Sequence, residues 1–261
     1  MGPISHALGH SLGEITALCA VGSLSLEDAI SLVVRTFNLF CSLLASTRKS
    51  NARSGSKSRY IHVCSSLSTF KPNFRTNIRK ATDSATSFFR YLFTHEIANS
   101  SKAEGVCQIA NINSPLQLVL SGHTKAVESA IERAKTEFSG HKLIAKKLNV
   151  SAPFHCSLME PAAQTVGKVL SSMNINGPSI PLVNNITASE VIKVVFVINC
   201  MQVSNPNEIR TLLQTQVTGT VKWLQSIEYC SSVNVKTFVE IGAGKVLSGL
   251  LKQIDPSLKC M

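Results

Sequence analysis

Leu8-Gly9-His10-Ser11-Leu12-Gly13-Glu14, near the start of the 261-residue chain, is the stretch that decides the fold. It fits the pattern G-x-S-x-G, called the elbow here, in which a serine lies on a tight turn between a strand and a helix. The two glycines leave no Cβ where strand and helix pass closest. The helix amides then point towards negative charge that develops beside Ser11 Oγ. A glycine-flanked turn with an ordinary N-cap serine fits equally well, so the pattern alone leaves both interpretations open.

Strands and helices alternate along the rest of the chain, which favours an α/β fold whose parallel sheet is covered by helices on both faces. Three helix starts carry explicit signals: Ser25 as N-cap, Ser157 with Glu160 as a capping box, and Asn205 followed by Pro206. Periodicity predicts strands over 116–121, 141–150, 180–186 and 236–241, and helices over 15–21, 25–45, 124–138, 157–173, 205–216, 222–229 and 245–254.

Two segments interrupt this order. Residues 46–104 are rich in Ser, Lys and Arg, and we interpret them as an irregular insertion with at most one helix, over 81–93. Residues 191–202 form an apolar run without turn signals of its own. The strand, helix and strand of residues 106–150 indicate a small α+β subdomain. The main domain would then comprise residues 1–105 and 151–261.

Composition excludes several classes of protein. Hydrophobic residues make up 44% of the chain and charged residues 16%, as in globular proteins, and no run of 18 uncharged apolar residues predicts a membrane span. The eight cysteines form no C-x-x-C pair, so we expect neither a metal site nor a disulfide framework. The net charge is +11, but the basic runs at 48–59 and 71–80 contain few aromatic residues. We therefore do not expect a nucleic-acid partner.

Three further residues are candidate functional residues by their position in the sequence. His155 lies in the loop just before a predicted helix. Arg35 is a lone cation among apolar residues at helical spacing, and a buried guanidinium needs an anion, supplied by either the fold or a ligand. Cys156 follows His155 directly, yet a small buried thiol is a better expectation for it than a nucleophile.

Five motifs in order carry a family resemblance: GHSLGE, QIANINSP, VSAPFHCSLMEPA, TQVTGTVKW and FVEIGAGKVLSGLLK. Together they resemble the malonyl-CoA:acyl carrier protein transacylases of fatty-acid synthesis and the acyltransferase domains of polyketide synthases. The similar segments cover residues 9–36, 106–189 and 204–261. The resemblance implies a hydrolase-like parallel sheet with a ferredoxin-like subdomain inserted at 106–150.

The resemblance also assigns roles to the reacting groups. It implies a catalytic serine–histidine dyad of Ser11 and His155, and it places the backbone N–H of Leu12 in the oxyanion hole. The arginine that binds the malonyl carboxylate should be Arg35, although Arg35 comes one residue early and Thr36 holds the aligned position.

The remaining assignments concern substrate binding. His10 and Asn113 match residues near the active site, and Phe154 resembles the malonyl-selective form of the loop that carries the histidine. Gln216 matches the residue whose backbone orients that histidine. Asn111 is a weaker match to a second asparagine near the site.

The implied activity is malonyl transfer from malonyl-CoA to the pantetheine thiol of acyl carrier protein through a malonyl-serine, with no cofactor beyond the CoA thioester. We expect a monomer inside the cell: in the cytoplasm of a bacterium, or in the mitochondrion or plastid of a eukaryote. Two alternatives stay open: a serine esterase or thioesterase of the α/β-hydrolase type, and an inactive fragment that binds acyl carrier protein.

One departure from the family bears on activity. The family carries strands and a glutamine loop that completes the oxyanion hole before the elbow, whereas ten residues precede Ser11 here. Losing one oxyanion donor typically costs ~10²–10³ in rate. We therefore expect this chain by itself to be poorly active or inactive, and poorly soluble.

Overall fold

A computed structural model describes residues 3–36, 38, 104–137, 143–148, 150, 152–188 and 205–261, and the backbone of the strand at 60–67. The helix expected at 81–93 and the apolar run 191–202 lie outside the described residues.

The described elements are a mixture of strands and helices, consistent with the predicted α/β class, but they do not alternate strictly: three strands follow one another in the middle of the chain, and helices follow one another in two places. The strands are β1 (Ala7–Leu8), β2 (Tyr60–Leu67), β3 (Cys107–Ser114), β4 (Gln117–His123), β5 (Leu143–Leu148), β6 (Leu182–Val183), β7 (Thr237–Phe238) and β8 (Lys259–Cys260). The helices are α1 (Gly13–Ala20), α2 (residues 26–36), α3 (Thr124–Glu137), α4 (Glu160–Ser171), α5 (Pro206–Gln216), α6 (Trp223–Ser232) and α7 (Val246–Ile254), with a 3₁₀ turn at Ser157–Met159 before α4. None of these helices is long and apolar enough to cross a membrane.

The largest sheet is antiparallel and has four strands in the order β3-β4-β2-β5. Strand β2 lies between two partners: Val63 is opposite Leu120 of β4 and Lys147 of β5. The interpretation of residues 46–104 as irregular apart from at most one helix is therefore wrong at 60–67. The strand was missed because it is stabilised by pairing on both edges, whereas Ser, Lys and Arg around it weaken the local pattern.

Parallel pairing, which the sequence analysis expects, occurs in short pieces, and one of the paired strands, β8, was not predicted. Strand β1 pairs with β6, with Ala7 opposite Leu182, and β7 pairs with β8. A parallel bridge also joins Asn111 of β3 to Val221, just before α6. These contacts bring the turn after β1 close to the segment after β6. They are the contacts that position the candidate site.

Two apolar cores support these pairings. Helix α3 covers the four-stranded sheet with its buried stripe, in which Val127 is fully buried. Helices α1, α2, α4 and α5 pack around β6, with Leu18 and Leu182 at the centre. A smaller cluster joins α6 and α7 to the end of β1. The elbow therefore starts from a strand that is held by apolar packing on the helices around it.

Two predicted helix starts are confirmed and one is wrong. Ser25 Oγ accepts the Asp28 amide at 3.0 Å, and Asn205 Oδ1 accepts the Asn207 amide at 2.9 Å. The Ser157–Glu160 capping box does not form, because the chain enters α4 through the 3₁₀ turn and Met159 is the N-cap. The Ser157 amide instead donates to Gln108 Oε1 at 2.6 Å, so the loop is tied to β3.

Candidate active site

The turn after β1 is a strained elbow. Ser11 has φ 54°, a left-handed conformation that is rare for residues other than glycine. Leu12, not Ser11, is the N-cap of α1, so the interpretation of Ser11 as an ordinary N-cap is wrong. A Cβ on Gly9 would lie 2.0 Å from Gly13 O, whereas a Cβ on Gly13 would meet nothing within 4 Å. Only the first glycine is thus required by the close passage of strand and helix.

The elbow brings Ser11 into contact with a histidine distant in sequence. Ser11 Oγ lies 2.7 Å from His155 Nε2, and His155 Nδ1 lies 2.9 Å from the backbone oxygen of Gln216. Because a carbonyl oxygen can only accept, Nδ1 carries the proton and Nε2 presents its lone pair to the serine hydroxyl. His155 can therefore accept the proton that Ser11 must lose to act as a nucleophile.

His155 is held rigidly for this contact. It is buried and has φ 60°, and its backbone N–H donates to Val217 O at 3.2 Å. Of the described residues other than glycine, three have positive φ, and Ser11 and His155 are two of them. Backbone strain of this kind persists where surrounding contacts over-determine the conformation, as they do at active sites.

The strand β3 contributes a second polar pair beside the elbow. His10 Nε2 lies 2.8 Å from Asn113 Oδ1, and the His10 ring meets Trp223 edge-on at a centroid distance of 5.3 Å. Burial lowers the pKa of His10, although the bond to Asn113 opposes the shift. His10 is therefore held as a neutral ring at neutral pH. Asn111 is buried on the same strand.

Three other predicted site residues, Leu12, Phe154 and Gln216, differ in how far they are buried. Leu12 is 59% exposed, and none of the described residues accepts a hydrogen bond from its backbone N–H. Phe154 is half-buried in the loop that carries His155 and packs against the small cluster of Ala152, Met159 and Ala162. Gln216 is buried at the end of α5.

The predicted burial of Arg35 is wrong. Arg35 is exposed near the end of α2, because that helix turns Ala29 and Leu32 towards the core, while Leu26 and Ile30 are 71% and 55% exposed. The core thus covers only one side of α2, and some of its apolar residues lie on the exposed side. Whether Arg35 binds a carboxylate stays a prediction.

Cys156 is a buried thiol, as the sequence predicts. Its Sγ donates to Pro153 O at 3.1 Å, and burial raises its pKa. A protonated, hydrogen-bonded thiol is a poor nucleophile, so Ser11 is the better candidate. Among the described residues no cluster of His, Cys, Asp and Glu could hold a metal ion.

Sequence reasoning missed three polar residues behind the elbow: Glu14, Asn184 and Asn185. All three are buried, and Asn185 Oδ1 accepts the Ser11 amide at 3.0 Å. Their only local signals were an acidic residue in the first helical turn and two asparagines after a strand. Neither signal shows that the three side chains meet.

A serine on a strand–turn–helix elbow, hydrogen-bonded to an oriented histidine, defines a protein of the serine acyl-transfer and hydrolase class. Comparison with known proteins narrows this class. The chain is 32% identical to the malonyl CoA-acyl carrier protein transacylase of Bacillus subtilis (strain 168) over 252 residues, which are 96% of the chain and 65% of that protein. No family model matches the chain.

Solved structures agree with this likeness. The acyl-carrier-protein S-malonyltransferase of Bartonella henselae superposes with a TM-score of 0.69 at 33% identity, over 98% of this chain and 67% of that one. A malonyl-transacylase solved in complex with its type II PKS acyl carrier protein gives a TM-score of 0.70 at 27% identity, over 99% and 69% of the two chains. The chain therefore belongs to the malonyl CoA-acyl carrier protein transacylase family. It spans about two thirds of its relatives' length.

Proposed function

We propose that this protein transfers a malonyl group from malonyl-CoA to the pantetheine thiol of acyl carrier protein. The observation that carries the proposal is the 2.7 Å contact between Ser11 Oγ and His155 Nε2 within a chain of this family. Substrate and acceptor come from the names of the relatives, and the reaction requires no group beyond the CoA thioester.

The reaction has two matched halves. His155 Nε2 takes the hydroxyl proton as Ser11 Oγ bonds to the thioester carbon, and the departing CoA thiolate takes that proton, which leaves a malonyl-serine ester. The carrier thiol then gives its proton to His155 and attacks the ester, and Ser11 recovers the proton as it leaves. The Leu12 amide, at the start of α1, is our candidate donor to the oxyanion of both tetrahedral intermediates.

The partner of His155 favours a dyad over a hydrolase triad. In the serine esterases of the α/β-hydrolase type, an Asp or Glu orients the histidine. Here the backbone oxygen of Gln216 accepts the Nδ1 proton at 2.9 Å. A carbonyl fixes the tautomer without adding a negative charge beside the ring. This arrangement supports the acyltransferase proposal over the esterase alternative.

Other residues would define the malonyl site. We propose that Arg35 pairs with the free carboxylate of the malonyl group, and that Phe154 closes the loop side of the pocket. His10, held by Asn113, would present a neutral ring beside the nucleophile. The exposure of Arg35 allows its long side chain to adopt more than one direction.

We also propose that the four-stranded sheet and α3 form the ferredoxin-like subdomain, and that β1 and β6 belong to the parallel sheet of the main domain. The strand order β3-β4-β2-β5, with α3 between β4 and β5, supports the first assignment. The subdomain would then include β2 as well as residues 106–150. Monomeric state and location in the cell remain predictions.

The test is acylation of the serine. Incubation of the chain with malonyl-CoA should add one malonyl mass to the peptide that contains Ser11, and acyl carrier protein with a free pantetheine should remove it. The Ser11→Ala variant should gain no mass, and the matched Cys156→Ala variant should be acylated like wild type. Mass on the Cys156 peptide, or hydrolysis that ignores the carrier thiol, would contradict the proposal.

A further inference from the structure

Glu14, two residues into α1, is a buried acid surrounded by hydrogen-bond donors. Its exposed fraction is 1%. Oε1 accepts from Asn184 Nδ2, while Oε2 accepts from the backbone N–H of Asn185 at 3.0 Å, from Asn185 Nδ2, and from Gln216 Nε2 at 2.5 Å. All four partners are neutral N–H groups. Among side chains, only an ionised carboxylate has two oxygens that both accept hydrogen bonds and donate none.

The orientation of the two asparagine amides is settled by their other bonds. Asn184 Oδ1 accepts the backbone N–H of Ile186 at 2.7 Å, and Asn185 Oδ1 accepts that of Ser11 at 3.0 Å. Neither amide can rotate its oxygen towards Glu14 without giving up a backbone donor. Both nitrogens must therefore face Glu14, and an amide at position 14 would place an NH₂ group against one of them.

The same contacts lead directly to the reacting pair. Asn185 bonds to Glu14 on one side, and on the other to the Ser11 amide and, through Nδ2 at 2.6 Å, to Gly9 O. Gln216 bonds to Glu14 through its side chain, and its backbone oxygen holds His155 Nδ1 at 2.9 Å. The Glu14 carboxylate is thus linked to Ser11 through one residue, Asn185, and to His155 through one residue, Gln216.

We propose that Glu14 is a positioning residue that holds Ser11 and His155 in register by joining the elbow, the Asn184–Asn185 turn and the end of α5. The inference rests on the proposed function only for the identity of the acyl group. Glu14 touches neither reacting atom. Its removal should lower the rate of the chemical step and leave substrate binding unchanged.

The experiment compares Glu14→Gln with a matched variant in the full chain. Glu240 is a suitable control because its carboxylate also accepts backbone amides, those of Leu247 and Ser248 at the start of α7. These hydrogen bonds do not connect Glu240 to Ser11. Each protein is labelled with a fluorophosphonate, which reports the activated serine whatever the natural acyl group, and then assayed with malonyl-CoA and carrier protein. Melting temperatures are measured in parallel.

We expect Glu14→Gln to slow labelling and kcat by roughly 10- to 100-fold, the cost of misplacing a reacting group by about 1 Å. KM should stay within about twofold of wild type, because no substrate contact is lost. Glu240→Gln should lower the melting temperature but keep both rates within about twofold. Equal rates for Glu14→Gln and wild type, or a change in KM alone, would overturn the proposal.

A double variant tests whether Glu14 acts as a hydrogen-bond acceptor or only fills space. Asn184→Asp combined with Glu14→Gln moves the carboxylate to the other end of one hydrogen bond, so that the new amide at position 14 donates to the new acid at position 184. The acid keeps an oxygen for the Ile186 amide. This pair should recover most of the rate that Glu14→Gln loses, and failure to recover would contradict the proposed polarity.

Three remaining outcomes are also decisive. If Glu14→Gln does not fold, Gln216→Met removes one donor and keeps the carbonyl that holds His155, and labelling at the wild-type rate would overturn the proposal. A wild-type chain that is labelled on Ser11 but takes no malonyl group refutes the proposed function and leaves the comparison at Glu14 valid. A wild-type chain that does neither, even when it carries a family-like N-terminal extension that supplies the second oxyanion donor, overturns both.

Discussion

The two glycines of the elbow should respond very differently to the same substitution. In Gly9→Ala the new Cβ would lie 2.0 Å from Gly13 O and 2.5 Å from the Glu14 amide, and real Cβ atoms essentially never come within 3.0 Å of such atoms. In Gly13→Ala the new Cβ meets nothing within 4 Å. The G-x-S-x-G pattern treats the two positions alike, so the difference is a property of the folded structure.

The size of the effect follows from the overlap. Strand and helix must separate by about 1 Å to bring 2.0 Å to 3.0 Å, and Ser11 lies between them at 2.7 Å from His155. A shift of this size should cost up to about 10² in the rate of Ser11 acylation and about 1–3 kcal/mol in stability, as overpacking does elsewhere. Gly13→Ala should keep the rate and gain up to about 1 kcal/mol from helix propensity.

The assay measures fluorophosphonate labelling of Ser11 and urea unfolding for both variants and wild type. The urea curves report the free energy of unfolding, so a rate loss can be separated from a loss of folded protein. The reasoning would be refuted if Gly9→Ala matched Gly13→Ala in both measurements, since that outcome would mean that strand and helix do not pass as closely as described.

Three further predictions concern single side chains. His155→Ala should slow Ser11 acylation by about 10²–10⁴, the usual effect of removing a general base, and an unchanged rate would show that another group takes the proton. Arg35→Ala should weaken malonyl transfer but spare acetyl transfer, because only malonyl has a carboxylate to lose; equal losses for both substrates would show that Arg35 does not select the acyl group. Burial raises the pKa of Glu14 from 4.5 to about 7, although its four N–H donors oppose the shift, so the folded state binds this proton more tightly than the unfolded state and the carboxylate form predominates above about pH 7. The free energy of unfolding of wild type, taken relative to that of Glu14→Gln, should therefore be highest below about pH 4.5. It should fall by about 3 kcal/mol as the pH rises through about 7. Urea unfolding of both proteins across this range checks it, and a pH-independent difference would contradict it.

The elbow and the family could be predicted from the sequence because their signals are local. Gly9 and Ser11 are two positions apart, and the loop that carries His155 is a contiguous motif. Helix starts such as Asn205-Pro206 are equally local, since a cap bonds within its own first turn. Each of these features depends on residues that are neighbours along the chain, so a single sequence is enough to recognise them.

Strand β2 and the faces of α2 could not be predicted in the same way. The strand at 60–67 is stabilised by β4 and β5, which follow it by many residues, and its flanking residues are typical of irregular segments. The apolar residues of α2 give a helical period, but the core covers Ala29 and Leu32 and leaves Ile30 exposed. A helical period shows that a helix forms, and only its neighbours decide which side is buried.

The sequence by itself determined the α/β class, the serine at the turn, the histidine that could activate it and the family that carries both. Tertiary structure alone decided that Glu14 would meet Asn184, Asn185 and Gln216, which lie 170 or more residues away along the chain. The physical reason is that a buried carboxylate is stable only where several donors converge on it, and these donors come from segments that only the folded chain brings together.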